Sequence, residues 1–118
     1  MTAWVPLMAD INPGDIVTVR TNDPAVAGTG FKNAAGVLAD PTTVNLKWRR
    51  HGEADTTWTW TSGMPGPNIV RDSVGVFHAD ITVVEPGLHY FRWEGLGAVV
   101  AAEEGTFSAS SYFVVGSP

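Results

Sequence analysis

Turn-forming residues interrupt this chain about every ten positions, and this spacing limits it to short elements of secondary structure. Thirteen glycines and eight prolines are distributed along 118 residues, with Pro-Gly pairs at 13–14 and 86–87. The runs between the turns are short and rich in Val, Thr, Phe and Trp. Such a pattern is typical of a β-sandwich or a β-barrel. We therefore predict an all-β protein with no significant helix.

Alternation of apolar and polar residues marks the individual strands. In 42–50, Val44, Leu46 and Trp48 alternate with polar neighbours, so they point to one face of a strand. Seven main strands are predicted, at 16–21, 42–50, 56–61, 69–71, 76–84, 88–94 and about 106–115. Residues 95–105 are predicted to be a loop or a short irregular strand. The predicted organisation is an N-terminal arm (1–13), one domain (14–109) and a C-terminal tail or strand extension (110–118).

Composition argues against several classes of protein. The chain has no cysteine, which excludes disulfides, thiolate metal sites and cysteine nucleophiles. Seven basic against twelve acidic residues give a net charge of −5, so we do not expect a nucleic-acid partner. The first residues carry no basic segment followed by a long apolar run, and no stretch is apolar enough to cross a bilayer. We therefore expect neither a signal peptide nor a membrane-spanning segment.

Catalytic and metal-binding patterns are also weak. His51, His78 and His89 are far apart in sequence, and we expect them to be solvated surface side chains rather than metal ligands. His78 and His89 would lie about 20 Å apart across a hairpin, or in opposite sheets of a sandwich. Glu103 and Glu104 are consecutive and point to opposite faces of an extended chain. We predict no catalytic residues, no cofactor, no metal and no enzymatic activity.

The aromatic and terminal apolar residues are the candidates for binding. Trp48, Trp93 and at least one of Trp58 and Trp60 are expected to fill the interior. Apolar side chains at both ends lie outside the predicted domain and must be covered, either by their own sheet or by another subunit. The predicted partner-binding residues are Trp4, Val5, Leu7, Met8, Trp58, Trp60, Tyr112 and Phe113.

The segment 72–79 resembles the bend that opens a late strand of immunoglobulin-like domains, with an acidic residue, a glycine and then an aromatic residue. Antibody domains have Tyr and Cys where this chain has Phe77 and Ala79, so the resemblance is to the wider group of cysteine-free immunoglobulin-like modules. In that group the bend is followed in order by an apolar strand, a Pro-Gly turn with an aromatic residue, and a final Phe. Asp72 to Phe77, 81–83, 86–90 and Phe107 match this order. The resemblance implies an immunoglobulin-like β-sandwich.

A second resemblance concerns the kind of protein. Phe31, Gly36, the segment 40–44 and the segment 92–95 are similar to small proteins encoded among the structural genes of tailed phages of actinobacteria. This resemblance implies a virion structural protein, as a capsid accessory or decoration protein or a head-to-tail component. Its implied partners are other virion proteins in multiple symmetric copies, and its implied location is the virion after synthesis in the host cytoplasm. The alternative is a carbohydrate-binding or adhesion module in which exposed Trp58 and Trp60 stack on sugar rings.

Overall fold

The computed structural model describes residues 11–64 and 66–109. Seven strands form within these ranges, and no helix does. The strands are β1 (Ile16–Arg20), β2 (Thr43–Arg50), β3 (Thr56–Thr61), β4 (Ile69–Ser73), β5 (Val76–Thr82), β6 (Gly87–Leu96) and β7 (Ala101–Ala109). Among the described residues there is consequently no helix long and apolar enough to span a membrane.

The seven strands form two antiparallel sheets. One has the order β1-β5-β4 and the other the order β3-β2-β6-β7. The chain crosses from one sheet to the other after β1, β3 and β5. These orders match the B-E-D and C′-C-F-G strands of an immunoglobulin-like sandwich. The predicted all-β, immunoglobulin-like sandwich of about seven strands is confirmed.

The core lies between the sheets and consists of the apolar residues that the alternation placed on one face of each strand. Trp93, Phe31 and Phe77 are its largest fully buried side chains. Burying each such side chain stabilises the fold by roughly 1.5–3 kcal/mol. Phe31 does not belong to a strand, since it enters the core from the long connection between β1 and β2. A backbone hydrogen bond from Phe31 N to Gly75 O, of 2.8 Å, holds it there.

The last strand differs from its prediction. β7 begins at Ala101 rather than near residue 106, and its register with β6 is continuous from Gly95 opposite Ala101 to Gly87 opposite Ala109. Two of the glycines in 95–105, Gly95 and Gly105, are strand residues that let neighbouring side chains come close, whereas Gly97 lies in the turn between β6 and β7. A Cβ on Gly95 would lie 2.8 Å from Pro41 Cγ. The predicted continuation of this strand to residue 115 lies outside the described residues.

The segment 72–79 contains the end of β4, a tight turn at Val74 and Gly75, and the start of β5. It therefore opens a strand, and it does so within one sheet, since the crossing to the other sheet follows β5. Gly75 has a φ of +74°, and a Cβ there would lie 2.6 Å from Phe31 O. Asp40 holds the turn, because its carboxylate accepts hydrogen bonds from Gly75 N at 2.8 Å and Arg71 Nε at 2.9 Å.

Candidate docking site

The outer face of the four-stranded sheet carries a concentration of charged side chains around one tyrosine. Strand register places Lys47 beside Arg92 and then Glu104, and in the next row Arg49 beside Tyr90 and then Thr106. We call this surface the charged face. Its residues are Lys47, Arg49, Tyr90, Arg92, Glu94 and Glu104.

Arg92 is the centre of an ion-pair network on this face. Its Nε donates to Glu94 Oε2 at 2.9 Å, and its Nη1 lies 3.0 Å from Glu104 Oε2. Lys47 Nζ lies 3.3 Å from the other oxygen of Glu94. Hydrogen bonding from Arg92, assisted by Lys47, lowers the pKa of the Glu94 carboxyl, and the hydrogen bonds to Glu94 and Glu104 raise the pKa of Arg92. Both shifts favour the charged forms of Arg92 and Glu94.

Tyr90 is held in one orientation by residues from the β2–β3 hairpin. The guanidinium carbon of Arg49 lies 5.2 Å from the centre of the Tyr90 ring, within the range of a cation–π contact. The Tyr90 hydroxyl is hydrogen-bonded to His51 Nδ1 at 3.0 Å, and Arg49 Nε lies 3.7 Å from Asp55 Oδ1. A tyrosine flanked by arginines is the composition found at energetically important positions of protein interfaces.

Two shallow grooves meet at Tyr90. Each has a volume of about 330 Å³, and both are lined by Tyr90, Phe91 and Glu104. The first extends towards Arg49 and the second towards Gly105 and Thr106 on β7. Together they lead from the middle of the charged face to the edge of the sheet. The arrangement is open to solvent and suits a polar protein surface or an extended peptide.

The edge of β7 is the longest open edge in the described part of the chain. β7 has nine residues, and no described residue pairs with it on the side away from β6. It contains no proline, lysine or bulge, but it carries two consecutive acidic residues, Glu103 and Glu104, and charged residues are among the features that protect an edge strand. An edge of this kind exposes backbone N–H and C=O groups to which another strand can pair.

The other described edges are shorter or protected. The segment after β3 folds back on that strand, with Met64 bridged to Thr61 and a Cβ on Gly66 only 2.9 Å from Thr59 O. β4 has five residues and carries an irregularity between Arg71 and Ser73. The edge of β1 faces away from β5 and has five residues. β7 is therefore the strongest candidate for strand addition within residues 11–64 and 66–109.

Trp58 and Trp60 do not form the exposed pair that the carbohydrate-binding alternative requires. Trp60 is only 7% exposed and packs edge-on against Phe77, with ring centroids 4.8 Å apart. Trp58 is half-buried and its ring packs against Trp48, with centroids 5.5 Å apart. Trp60 is therefore a core residue and not a partner-binding residue, because alternation on β3 turns it towards the opposite sheet. The expected burial of Trp93, and of at least one of Trp58 and Trp60, is confirmed.

The remaining predicted binding residues cannot be placed. Trp4, Val5, Leu7, Met8, Tyr112 and Phe113 lie outside the described residues.

His78 lies apart from His89, and His89 is buried. His78 is on β5 and His89 on β6, in opposite sheets, as one of the two sequence alternatives held. The expectation of a solvated His89 is wrong, since its ring is stacked on Phe107 and the residue is only 4% exposed. Burial lowers its pKa, and its Nδ1 donates to Gly87 O at 3.0 Å. Within the described ranges, no three His, Asp or Glu side chains are grouped so that they could hold a metal ion.

Sequence reasoning missed the charged face. The polar positions of β2 were recognised as one face of a strand, but their neighbours on β6 and β7 depend on register. One feature of the sequence did indicate part of this face. Tyr90, Arg92 and Glu94 alternate with apolar residues, and such alternation predicts a row of polar side chains that faces outward.

Comparison of the chain with protein-family models, curated proteins and solved structures finds no match.

Proposed function

We propose that this chain is a non-enzymatic structural protein of a tailed-phage particle. In this proposal it is an immunoglobulin-like accessory, decoration or head-to-tail component that docks on a repetitive assembly. The resemblance of 40–44 and 92–95 to phage structural proteins supports the setting. The single observation that carries the docking function is the charged face around Tyr90, Arg49 and Arg92, beside a nine-residue strand, β7, whose outer side is paired with no residue of the described ranges.

The docking surface combines two kinds of contact. Backbone groups along β7 supply hydrogen bonds to an added strand, and such bonds require no particular partner sequence. The side chains of the charged face supply selectivity, because a partner must offer groups that complement Arg49, Arg92 and Glu104. The terminal residues Trp4, Val5, Leu7, Met8, Tyr112 and Phe113 are proposed to add apolar contacts to the same assembly.

A small surface of this kind suits attachment to a symmetric particle. A single strand-edge contact is weak, since much of its interaction energy offsets the lost freedom of the two molecules. A shell or ring presents the same site many times, so linked copies bind with a higher effective affinity. This physical argument is general to repetitive assemblies, and the phage setting is taken from the resemblance.

Incorporation into particles tests the proposal. Particles made with the unchanged chain are expected to contain it at a constant ratio to the major structural protein, measured by quantitative mass spectrometry. Arg49→Glu reverses a charge on the charged face and is expected to reduce incorporation several-fold.

Arg20→Glu is the matched control. Both arginines are partly exposed and weakly paired, Arg49 with Asp55 at 3.7 Å and Arg20 with Asp72 at 3.9 Å, but Arg20 lies on the other sheet. Arg20→Glu is expected to leave incorporation unchanged. Absence of the chain from purified particles would refute the phage setting, and equal incorporation of both variants would refute docking through the charged face.

A further inference from the structure

We propose that Arg49 on the charged face binds a carboxylate of an extended acidic segment of the partner protein, and that Asp55 holds the place of this carboxylate until the partner docks. This inference rests on the proposed docking role of the charged face and names the chemistry of its partner. It follows from the pairing of the arginines, from the position of Tyr90 and from the charges of the groove that these residues line.

Arg49 has hydrogen-bond donors that no described residue uses. Its Nε lies 3.7 Å from Asp55 Oδ1, which is longer than a hydrogen bond, and its guanidinium makes no other polar contact within the described ranges. By contrast, a nitrogen of each of Arg50, Arg71 and Arg92 lies 2.8 or 2.9 Å from a carboxylate oxygen. The Arg49 side chain is 46% exposed, so its donors are accessible to a ligand.

Tyr90 orients the guanidinium of Arg49. The guanidinium carbon lies 5.2 Å from the centre of the Tyr90 ring, and the hydroxyl of Tyr90 is hydrogen-bonded to His51 Nδ1 at 3.0 Å. A guanidinium that lies over a ring keeps the N–H groups in its own plane free, and a carboxylate accepts two such groups in parallel. Because Arg49 is already oriented, it loses less conformational freedom when it binds a carboxylate than a fully mobile side chain would.

The charges of the first groove favour an acidic ligand. Lys47, Arg49 and Arg92 line this groove of about 330 Å³, and they are three of the seven basic residues of the chain. Lys47 and Arg92 are balanced by Glu94 and Glu104, through contacts of 2.9, 3.0 and 3.3 Å. Arg49 is the cation that this network leaves out, so the partner group that complements it is an anion.

Asp55 is a weak competitor for Arg49. It lines the same groove, and its side chain is 53% exposed. An exposed ion pair of this length contributes little to stability, so a partner carboxylate at hydrogen-bonding distance displaces it. Asp55 and Glu104 together also repel a doubly charged phosphate more strongly than a singly charged carboxylate. The groove therefore favours an Asp or Glu side chain of a protein segment over a free phosphate.

Selection from a random decapeptide library on the full chain tests the class of ligand. Arg49→Lys, which keeps the charge but loses the planar set of donors, is selected in parallel. Arg20→Lys is the control, because Arg20 is also loosely paired, at 3.9 Å, but lies on the other sheet and borders neither groove. The unchanged chain and Arg20→Lys are expected to enrich peptides with Asp or Glu at one position, whereas Arg49→Lys is not.

Three results of the selection overturn the proposal. They are the absence of any enriched peptide, the enrichment of basic or uncharged peptides alone, and an acidic enrichment that Arg49→Lys shows as strongly as the unchanged chain.

The most strongly enriched peptide then measures the contact by NMR titration at fixed ionic strength, followed through the ring resonances of Tyr90. Replacement of its acidic residue by the matching amide is expected to weaken binding to the unchanged chain about tenfold, and binding to Arg49→Lys about twofold or less. Equal losses in both proteins would place the carboxylate elsewhere and overturn the assignment to Arg49. Inorganic phosphate is expected not to displace the peptide, and displacement at the same concentration as an acidic competitor peptide overturns the preference for a carboxylate.

Asp55→Asn tests the displacement. Removal of the competing carboxylate is expected to tighten binding of the same peptide about two- to fivefold. Glu53→Gln is the matched control, because Glu53 lies in the same β2–β3 connection and is 55% exposed, but pairs with Arg50, at 3.8 Å. This control is expected to leave the dissociation constant unchanged. Equal effects of the two substitutions, or weaker binding by Asp55→Asn, overturn the role of Asp55.

Two outcomes separate this inference from the proposed function. A chain that selects no acidic peptide, while Arg49→Glu still reduces its incorporation into particles, overturns the carboxylate site and leaves docking through the charged face standing. A chain that binds acidic peptides through Arg49, but whose Arg49→Glu and Arg20→Glu variants are incorporated equally, keeps the carboxylate site and refutes docking through the charged face.

Discussion

Gly105 on β7 lies directly opposite Phe91 on β6, and the phenyl ring fills the space that a side chain at Gly105 would need. A Cβ on Gly105 would lie 2.5 Å from Phe91 Cζ and 2.9 Å from Cε1. Phe91 is 3% exposed, so its ring cannot move into solvent without losing core contacts. The sheet that carries the charged face therefore depends on a glycine at the centre of its edge strand.

The first prediction concerns this contact. Gly105→Ala is expected to lower the free energy of unfolding by about 1–3 kcal/mol, because the added methyl group overpacks the core. Urea denaturation followed by tryptophan fluorescence measures the change. Ser108→Ala, on the exposed side of the same strand, is the control and is expected to have little effect.

A double-mutant cycle tests whether the ring of Phe91 is the cause of this loss of stability. If the ring of Phe91 causes the loss, Gly105→Ala costs less in a Phe91→Leu background than in the unchanged chain. Equal costs in both backgrounds would contradict the steric explanation.

The second prediction concerns Asp40, which joins the β1–β2 connection to the β4–β5 turn. Asp40→Ala removes the acceptor for Gly75 N and for Arg71 Nε, and is expected to cost about 1–3 kcal/mol. Asp80→Ala, which removes an exposed hydrogen bond from Thr18, is expected to cost less. Thermal unfolding of the two variants compares them. A larger loss for Asp80→Ala would show that Asp40 does not hold the turn.

The third prediction separates the two tryptophans of β3. Trp60→Ala is expected to cost about 3–5 kcal/mol, since the ring is buried against Phe77. Trp58→Ala is expected to cost less, because Trp58 is half-buried and can be partly replaced by water. Urea titration gives both values. Native stability of Trp60→Ala would contradict its place in the core.

The fourth prediction concerns pH. Burial lowers the pKa of His89 below its ordinary value of 6.5, so the folded protein binds this proton less readily than the unfolded chain. The stability associated with neutral His89 is complete above pH 6.5 and is lost as the pH falls through the lower pKa of the folded state. The lowered pKa of Glu94 acts in the same direction, but only below its ordinary value of 4.5. We therefore expect the free energy of unfolding to decrease between pH 7 and pH 5.

His89→Phe tests the assignment, because it keeps an aromatic ring against Phe107 and removes the titrating group. Its free energy of unfolding should change less between pH 7 and pH 5 than that of the unchanged chain. Equal pH dependence in both proteins would mean that another group titrates. Measurements at fixed ionic strength keep the surface ion pairs comparable.

Strand positions were predictable where a strand has one buried and one exposed face. β3 was predicted at its observed bounds, and β2 within one residue, because Val44, Leu46 and Trp48 alternate with polar residues. β7 was not, because Gly105 and the preceding alanines at 98, 101 and 102 carry little apolar pattern. The contact that requires glycine there comes from Phe91, fourteen residues earlier in the chain.

The candidate site was predictable only in part. Coverage of the terminal apolar residues by their own sheet or by another subunit was an expectation, but which strands lie at the edges depended on the sheet order. The charged face joins residues from three strands, and a shift of one residue in pairing would turn Lys47 or Arg92 towards the core. No local pattern determines that pairing.

The amino-acid sequence alone determined that this chain forms short strands with an apolar face, since alternation, turns and residue type act between near neighbours. The tertiary structure alone decided which strand is left at the edge, which charges meet across β2, β6 and β7, and that His89 and Trp60 are enclosed. These features depend on contacts between residues that are distant in sequence. Such contacts form, and contribute to stability, only when the two sheets pack together.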